Sequence, residues 1–146
     1  MRQFGNKSKT QMSTLHPELR RLLEHVLQVM DITVTEGHRG EAAQNEAQRT
    51  GKSKLRFPDG AHNSFPSNAV DIAPWPIPDN WGDPGPDKLY TLEELRERAK
   101  FYYLAGIAQG IAYELGIPLR WGGDWNMDNQ FKDQKFDDLV HFELRL

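Results

Sequence analysis

Alternation constrains this chain most: two short segments, far apart in sequence, each place ionisable residues on the strand face opposite an apolar one. In Asn68-Ala69-Val70-Asp71-Ile72-Ala73, Val70 and Ile72 share one face while Ala69 and Asp71 share the other. Asp71 therefore points away from the core, beside a residue small enough to leave space for a metal ion. In Leu139 to Leu144, Val140, Phe142 and Leu144 form the apolar face, and Leu139, His141 and Glu143 the opposite one. The pattern that buries its neighbours aims His141 outward.

The rest of the chain reads as helices around these strands. Leu19, Leu22, Leu23, Val26, Leu27 and Met30 recur at helical spacing from Pro17 to Met30, with Pro17 suited to a first turn. Ile32 and Val34 alternate with Thr33 and Thr35 as a short strand, Gly37 to Gly40 turns the chain, and Glu41 to Arg49 has the composition of a short helix. Polar and turn-forming residues prevail from Gly51 to Ser67, which makes that stretch a loop holding His62. Five prolines between Pro74 and Pro86 exclude an internal strand or helix and predict an extended surface loop. Thr91-Leu92-Glu93-Glu94 has the spacing of a capping box, opening a long helix that Gly116 and Pro118 end after Leu115. Leu119-Arg120-Trp121 is a further strand, and Trp121 belongs to the core. A length of 146 residues with 38% hydrophobic content fits one domain, 1–146, of α+β class: a small, mainly antiparallel sheet with flanking helices.

The chain contains no cysteine, so any zinc must be held by His and carboxylate. A catalytic zinc takes three such ligands and leaves a fourth position to water; His62, Asp71 and His141 would fill the three. Asp138 lies just before the last strand, close to His141 and on a stretch not committed to the core, and is the candidate general base. Its neighbour Asp137 is expected to face solvent, and Glu143 to orient a metal ligand or to sit as a charge at the sheet margin. His16, His25 and His38 read as ordinary surface or helix residues. Trp125 lies beside glycines that would let a peptide or sugar approach. Asp124, Asn126 and Asp128 stand at the first, third and fifth positions of a calcium-type loop, although Lys135 occupies the twelfth, where a bidentate carboxylate is usual. The match is partial, so the loop reads first as an acidic turn, with a structural calcium site as the alternative.

A net charge of −3 argues against a nucleic-acid partner, and the nearest basic cluster, Lys52, Lys54 and Arg56, reads as decoration of a solvated loop. A metal nuclease built on Asp71, Asp137 and Asp138 is disfavoured on the same ground. The amino terminus lacks the apolar run of an export signal, and nothing approaches the roughly 18 apolar residues of a spanning helix. The expectation is a monomer made in the cytoplasm, with no membrane insertion.

The same residues resemble the zinc peptidases of the M15 class, whose signature is Ser-x-His, a loop, Ala-x-Asp, and a later Asp/Glu-x-x-His. Ala69-Val70-Asp71 and Asp138-Leu139-Val140-His141 match it; Gly60 stands where Ser is frequent, and eight residues separate His62 from Asp71. Leu15-His16-Pro17 and Thr33 to Arg39 resemble the front half of the same enzymes. The resemblance implies the Hedgehog/DD-peptidase fold and a peptidoglycan substrate, with Arg39 binding the substrate and polarising the scissile carbonyl. It further implies an L-alanyl-D-glutamate endopeptidase acting as a phage endolysin, which a separate lysis protein would release from the host cytoplasm to the wall. The alternatives are a D-alanyl-D-alanine carboxypeptidase and a catalytically inactive cell-wall-binding module of the same fold.

Overall fold

The computed structural model describes residues 1–82 and 89–146. Within them lie α1 (Asn6–Met12), α2 (Pro17–Val29), β1 (Ile32–Glu36), α3 (Glu41–Arg49), a 3₁₀ turn (Ala61–Asn63), β2 (Ala69–Pro74), α4 (Leu92–Leu115), β3 (Leu119–Trp121) and β4 (His141–Leu144). The four strands form one antiparallel sheet in the order β1-β2-β4-β3. Of the proline-rich stretch, residues 83–86 lie outside the described residues.

The helices follow their local chemistry. Pro17 occupies the first turn of α2, and His16 caps it by accepting the Glu18 N–H on Nδ1 at 3.1 Å. Leu19, Leu22, Leu23, Val26 and Leu27 line its buried face. Thr91 and Glu94 close the expected capping box on α4, and Gly116 ends it in the left-handed conformation at φ 70°. Helices α2 and α4 pack together, and α4 lies on β2 and β3. Their side chains join Val70, Ile72, Phe142 and Leu144 in one hydrophobic core on that face of the sheet. The opposite face is left to the polar residues of β2 and β4.

Three elements depart from the sequence expectations. Strand β2 runs on to Pro74, buried opposite Ile32 instead of opening the surface loop, because at a strand's last position the missing N–H breaks no interior ladder bond. Helix α1 has no counterpart in those expectations, because only Ser8 and Met12 of its seven residues are buried and its apolar stripe is too narrow to read. Ser8 ties it to the sheet by accepting the Val34 N–H on Oγ at 3.0 Å. Strand β4 starts at His141 rather than Leu139. Residues Asp138 to His141 form a turn closed by His141 N–H on the Asp138 carbonyl at 3.1 Å, and Leu139 enters the core at 1% exposure instead of sharing the outward face of His141.

Candidate metal centre and active site

Sheet register builds the first half of the site. Asp71 on β2 stands directly opposite His141 on β4, and Ala69 opposite Glu143. Paired positions on one face hold their side chains within reach of each other. The third component, His62, arrives from the 3₁₀ turn. Its Nδ1 donates to the Gly37 carbonyl at 2.7 Å, which fixes the tautomer and aims the lone pair of Nε2 at the sheet.

His62 Nε2 lies 3.2 Å from Asp71 Oδ1 and 3.2 Å from His141 Nδ1, and the third edge, His141 Nδ1 to Asp71 Oδ1, is 3.3 Å. Among the described residues, these three are the group of His and carboxylate side chains close enough to hold a metal ion. A tetrahedral zinc with ligands at ~2.0–2.1 Å has ligand-to-ligand edges of about 3.3–3.4 Å. The donor set and the triangle therefore fit one face of such a site.

Electrostatics favour a cation at that point. Burial opposes ionisation of Asp71, yet hydrogen bonds from His141 and His62 and their charge hold its carboxyl well below the usual carboxylate range. Burial likewise opposes a charged His141, but Asp71 and Glu143 outweigh it and lift the imidazole to about 9. Glu143 is held down at about 2, against burial, by His141 and Arg120. Its carboxylate lies 3.8 Å from His141 Nε2, too far for a hydrogen bond, and is gripped by Arg120 at 2.8 and 3.1 Å.

Asp138 lines the same cavity of about 620 Å³ as His62, Asp71, His141 and Arg39. Burial first, then the charge of Asp71, pushes its carboxyl above the ordinary value against the pull of His141, His62 and Arg39. A carboxyl poised upward in this way can exchange a proton during a reaction cycle. Its place is set by Gly122, whose carbonyl accepts the Asp138 N–H and whose N–H reaches the His141 carbonyl, both at 2.8 Å. A Cβ on Gly122 would lie 2.3 Å from the Asp138 carbonyl oxygen, so only glycine permits the approach. Asp137 turns the other way and pairs with Arg98 on α4 at 2.9 Å rather than simply facing solvent.

Arg39 is clamped by both oxygens of Glu36, at 2.5 and 2.9 Å, and by Gln44 Oε1 at 3.0 Å. Gln44, fully buried on α3, also accepts from Asn63 and donates to Ser53 Oγ and the Leu55 carbonyl. It thus joins the Arg39 segment, the His62 turn and the 51–59 loop. Sequence reasoning missed Gln44, Glu36 and Arg120; the three-residue spacing of Glu36 and Arg39 was the available signal, whereas Gln44 carried none. Gly60 has a local explanation, since a Cβ there would meet Asn63 Oδ1 and Gln44 Oε1 at 2.7 Å.

The remaining expectations separate cleanly. Trp121 is in the core with Nε1 donating to the Leu139 carbonyl, while Trp125 lines the cavity with its ring 5.5 Å from that of His141. The rings of His16, His25 and His38 bond to backbone groups and take no part in the triad. Lys52 and Lys54 correct the sequence reading, for both line the cavity instead of merely decorating a loop. In the 124–134 loop, Asp124 accepts the N–H groups of Asp128 and Asn129, and Asn126 contacts both Asp128 and Asp133. No helix among the described residues is long and apolar enough to cross a membrane.

Known proteins match both the fold and the sequence of this chain. The fold matches the crystal structure of the Serratia marcescens L-Ala D-Glu endopeptidase ChiX with a TM-score of 0.65, at 24% identity, over 97% of this chain and 88% of that one. The L-alanyl-D-glutamate peptidase of Escherichia phage T5 is 32% identical over 136 aligned residues, covering 90% of this chain and 87% of the relative. The family model described as phage L-alanyl-D-glutamate peptidase matches residues 1–145, and the chain belongs to that family.

Proposed function

We propose that this peptidase, which cleaves peptidoglycan stem peptides, works as a single catalytic domain over residues 1–146 with zinc held by His62, Asp71 and His141. The supporting observation is the triangle of donor atoms with edges of 3.2–3.3 Å. When bound there, zinc supplies a Lewis acid and lowers the pKa of a coordinated water to about 7. Asp138 takes the proton released as water adds to the alanyl carbonyl. Arg39, fixed by Glu36 and Gln44, faces the charge that builds on the carbonyl oxygen. As the C–N bond breaks, Asp138 passes its proton to the departing glutamyl nitrogen and returns to the carboxylate. All these groups come from one chain, which supports action as a monomer, and kinship with a phage enzyme supports the endolysin role.

Mass spectrometry of products from purified peptidoglycan tests the reading. A new glutamate amino terminus is expected; release of free alanine would select the carboxypeptidase instead, and no cleavage the inactive binding module.

A second reading concerns calcium at Asp124, Asn126 and Asp128. What favours it is Asp133, which Asn126 links to Asp128 through one amide nitrogen, at 3.3 and 2.9 Å, so a further carboxylate joins the loop although Lys135 fills the twelfth position. Millimolar calcium is expected to raise the melting temperature of the protein, and Asp128→Ala to remove that increment. An unchanged melting curve would leave the loop an ordinary turn.

A further inference from the structure

Four cationic side chains line the cavity: Arg39, Arg120, Lys52 and Lys54. Glu36 neutralises the first and Glu143 the second, each within hydrogen-bond distance. Lys52 lies within electrostatic reach of Glu46. Lys54 forms no ion pair among the described residues; its ammonium stands 5.5 Å from the centre of the Phe136 ring. Arg120 stands in the same relation to Trp125, at 5.4 Å, and the two rings are stacked 6.3 Å apart. A pair of aromatic rings thus carries two cations at the cavity, one already matched by a carboxylate and one not.

The substrate supplies the missing charge. A glutamyl residue has two carboxyl groups, and at most one of them continues the peptide, so the other remains a carboxylate a few bonds from the scissile nitrogen. Asp59 and Asp138 line the same cavity with no ion pair among the described residues, and they repel that anion as it enters. An unmatched cation beside them offsets the repulsion and sets the orientation of the glutamyl side of the bond.

We propose that Lys54 receives the free carboxylate of the D-glutamyl residue and so makes the 51–59 loop a specificity element, an inference that rests on cleavage of the L-alanyl-D-glutamate bond at this site. The geometry explains why a lysine on an exposed loop lies against an aromatic ring at the cavity: the ring holds the stem while the ammonium stays mobile enough to meet a ligand.

The test uses the zinc-loaded enzyme and two synthetic stem-peptide mimics, one with the free glutamyl carboxylate and one in which only that group is a primary amide. The wild-type enzyme is expected to prefer the carboxylate peptide by about 5- to 20-fold in kcat/KM, the range between an exposed ion pair and a charge-assisted hydrogen bond. Lys54→Met should bring the ratio toward one, chiefly by raising KM for the carboxylate peptide, and Lys54→Arg should restore most of it. Arg56→Met, on the same loop but outside the cavity, should keep the wild-type ratio. A wild-type enzyme without preference, a Lys54→Met enzyme with the full preference, or an equal loss in Arg56→Met would each overturn the role of Lys54. Failure of the wild-type enzyme to cut either peptide would instead overturn the peptidase reading itself.

Discussion

Asp138 and His141 are three residues apart and share a cavity, yet they hold different places in it. His141 Nδ1 lies among the donor atoms of the triad, whereas Asp138 is absent from that group and is held by the Gly122 backbone. Asp138→Asn nearly conserves shape. It is expected to keep about one zinc per chain while lowering kcat by ~10²–10⁴-fold, the usual worth of positioned proton transfer. His141→Ala should lose zinc and activity together. Metal content and turnover measured on the same preparations decide this, and an Asp138→Asn enzyme that turned over normally would remove the residue from the mechanism.

Among elements, the turn before β4 decides whether the site can assemble. Gly122 grips it from both sides, and the space for a side chain there is already taken by Asp138. Gly122→Ala must push the Asp138 backbone aside, and overpacking of this kind costs about 1–3 kcal/mol. Displacing a catalytic group by ~1 Å can cost 10²-fold in rate. The expected result is a lowered urea midpoint together with a kcat reduced by about that factor, with zinc retained. Loss of stability with normal kcat would show that the turn has room to adjust.

For the whole molecule, His62, Asp71 and His141 come from the 3₁₀ turn, β2 and β4, so a metal bound by them would cross-link segments 79 residues apart in sequence. Zinc that binds the folded state and not the unfolded chain stabilises by mass action, about 4 kcal/mol at a thousandfold excess over Kd. Chelation is therefore expected to abolish activity and to lower the melting temperature by several degrees, with both restored by zinc. Full activity in a metal-free sample would refute the proposed zinc mechanism.

Helical spacing was enough to read α2, composition α3, a capping box and a Gly/Pro stop α4, and alternation the strands and the outward faces of Asp71 and His141, because those signals depend only on neighbours a few residues away. The donor chemistry of His62, Asp71, His141 and Asp138 stood in the sequence as well, and the fold brings the first three together and sets Asp138 at the same cavity. What those signals could not show was distance. The apposition of Asp71 and His141 follows from register between β2 and β4, and the approach of His62 from its bond to Gly37. Leu139 went to the core because a turn, closed by one backbone hydrogen bond, replaced the first two residues of the expected strand. Helix α1 escaped notice because it is held through Ser8 rather than through a broad apolar stripe. Gln44 and Lys54 look like any polar surface residues in the sequence, and only packing buries the one at the centre of a hydrogen-bond network and sets the other at the cavity. Local pattern determined which residues offer donor atoms on an outward face; long-range pairing of backbone and side-chain partners decided where they meet, because such contacts depend on the arrangement of the whole chain.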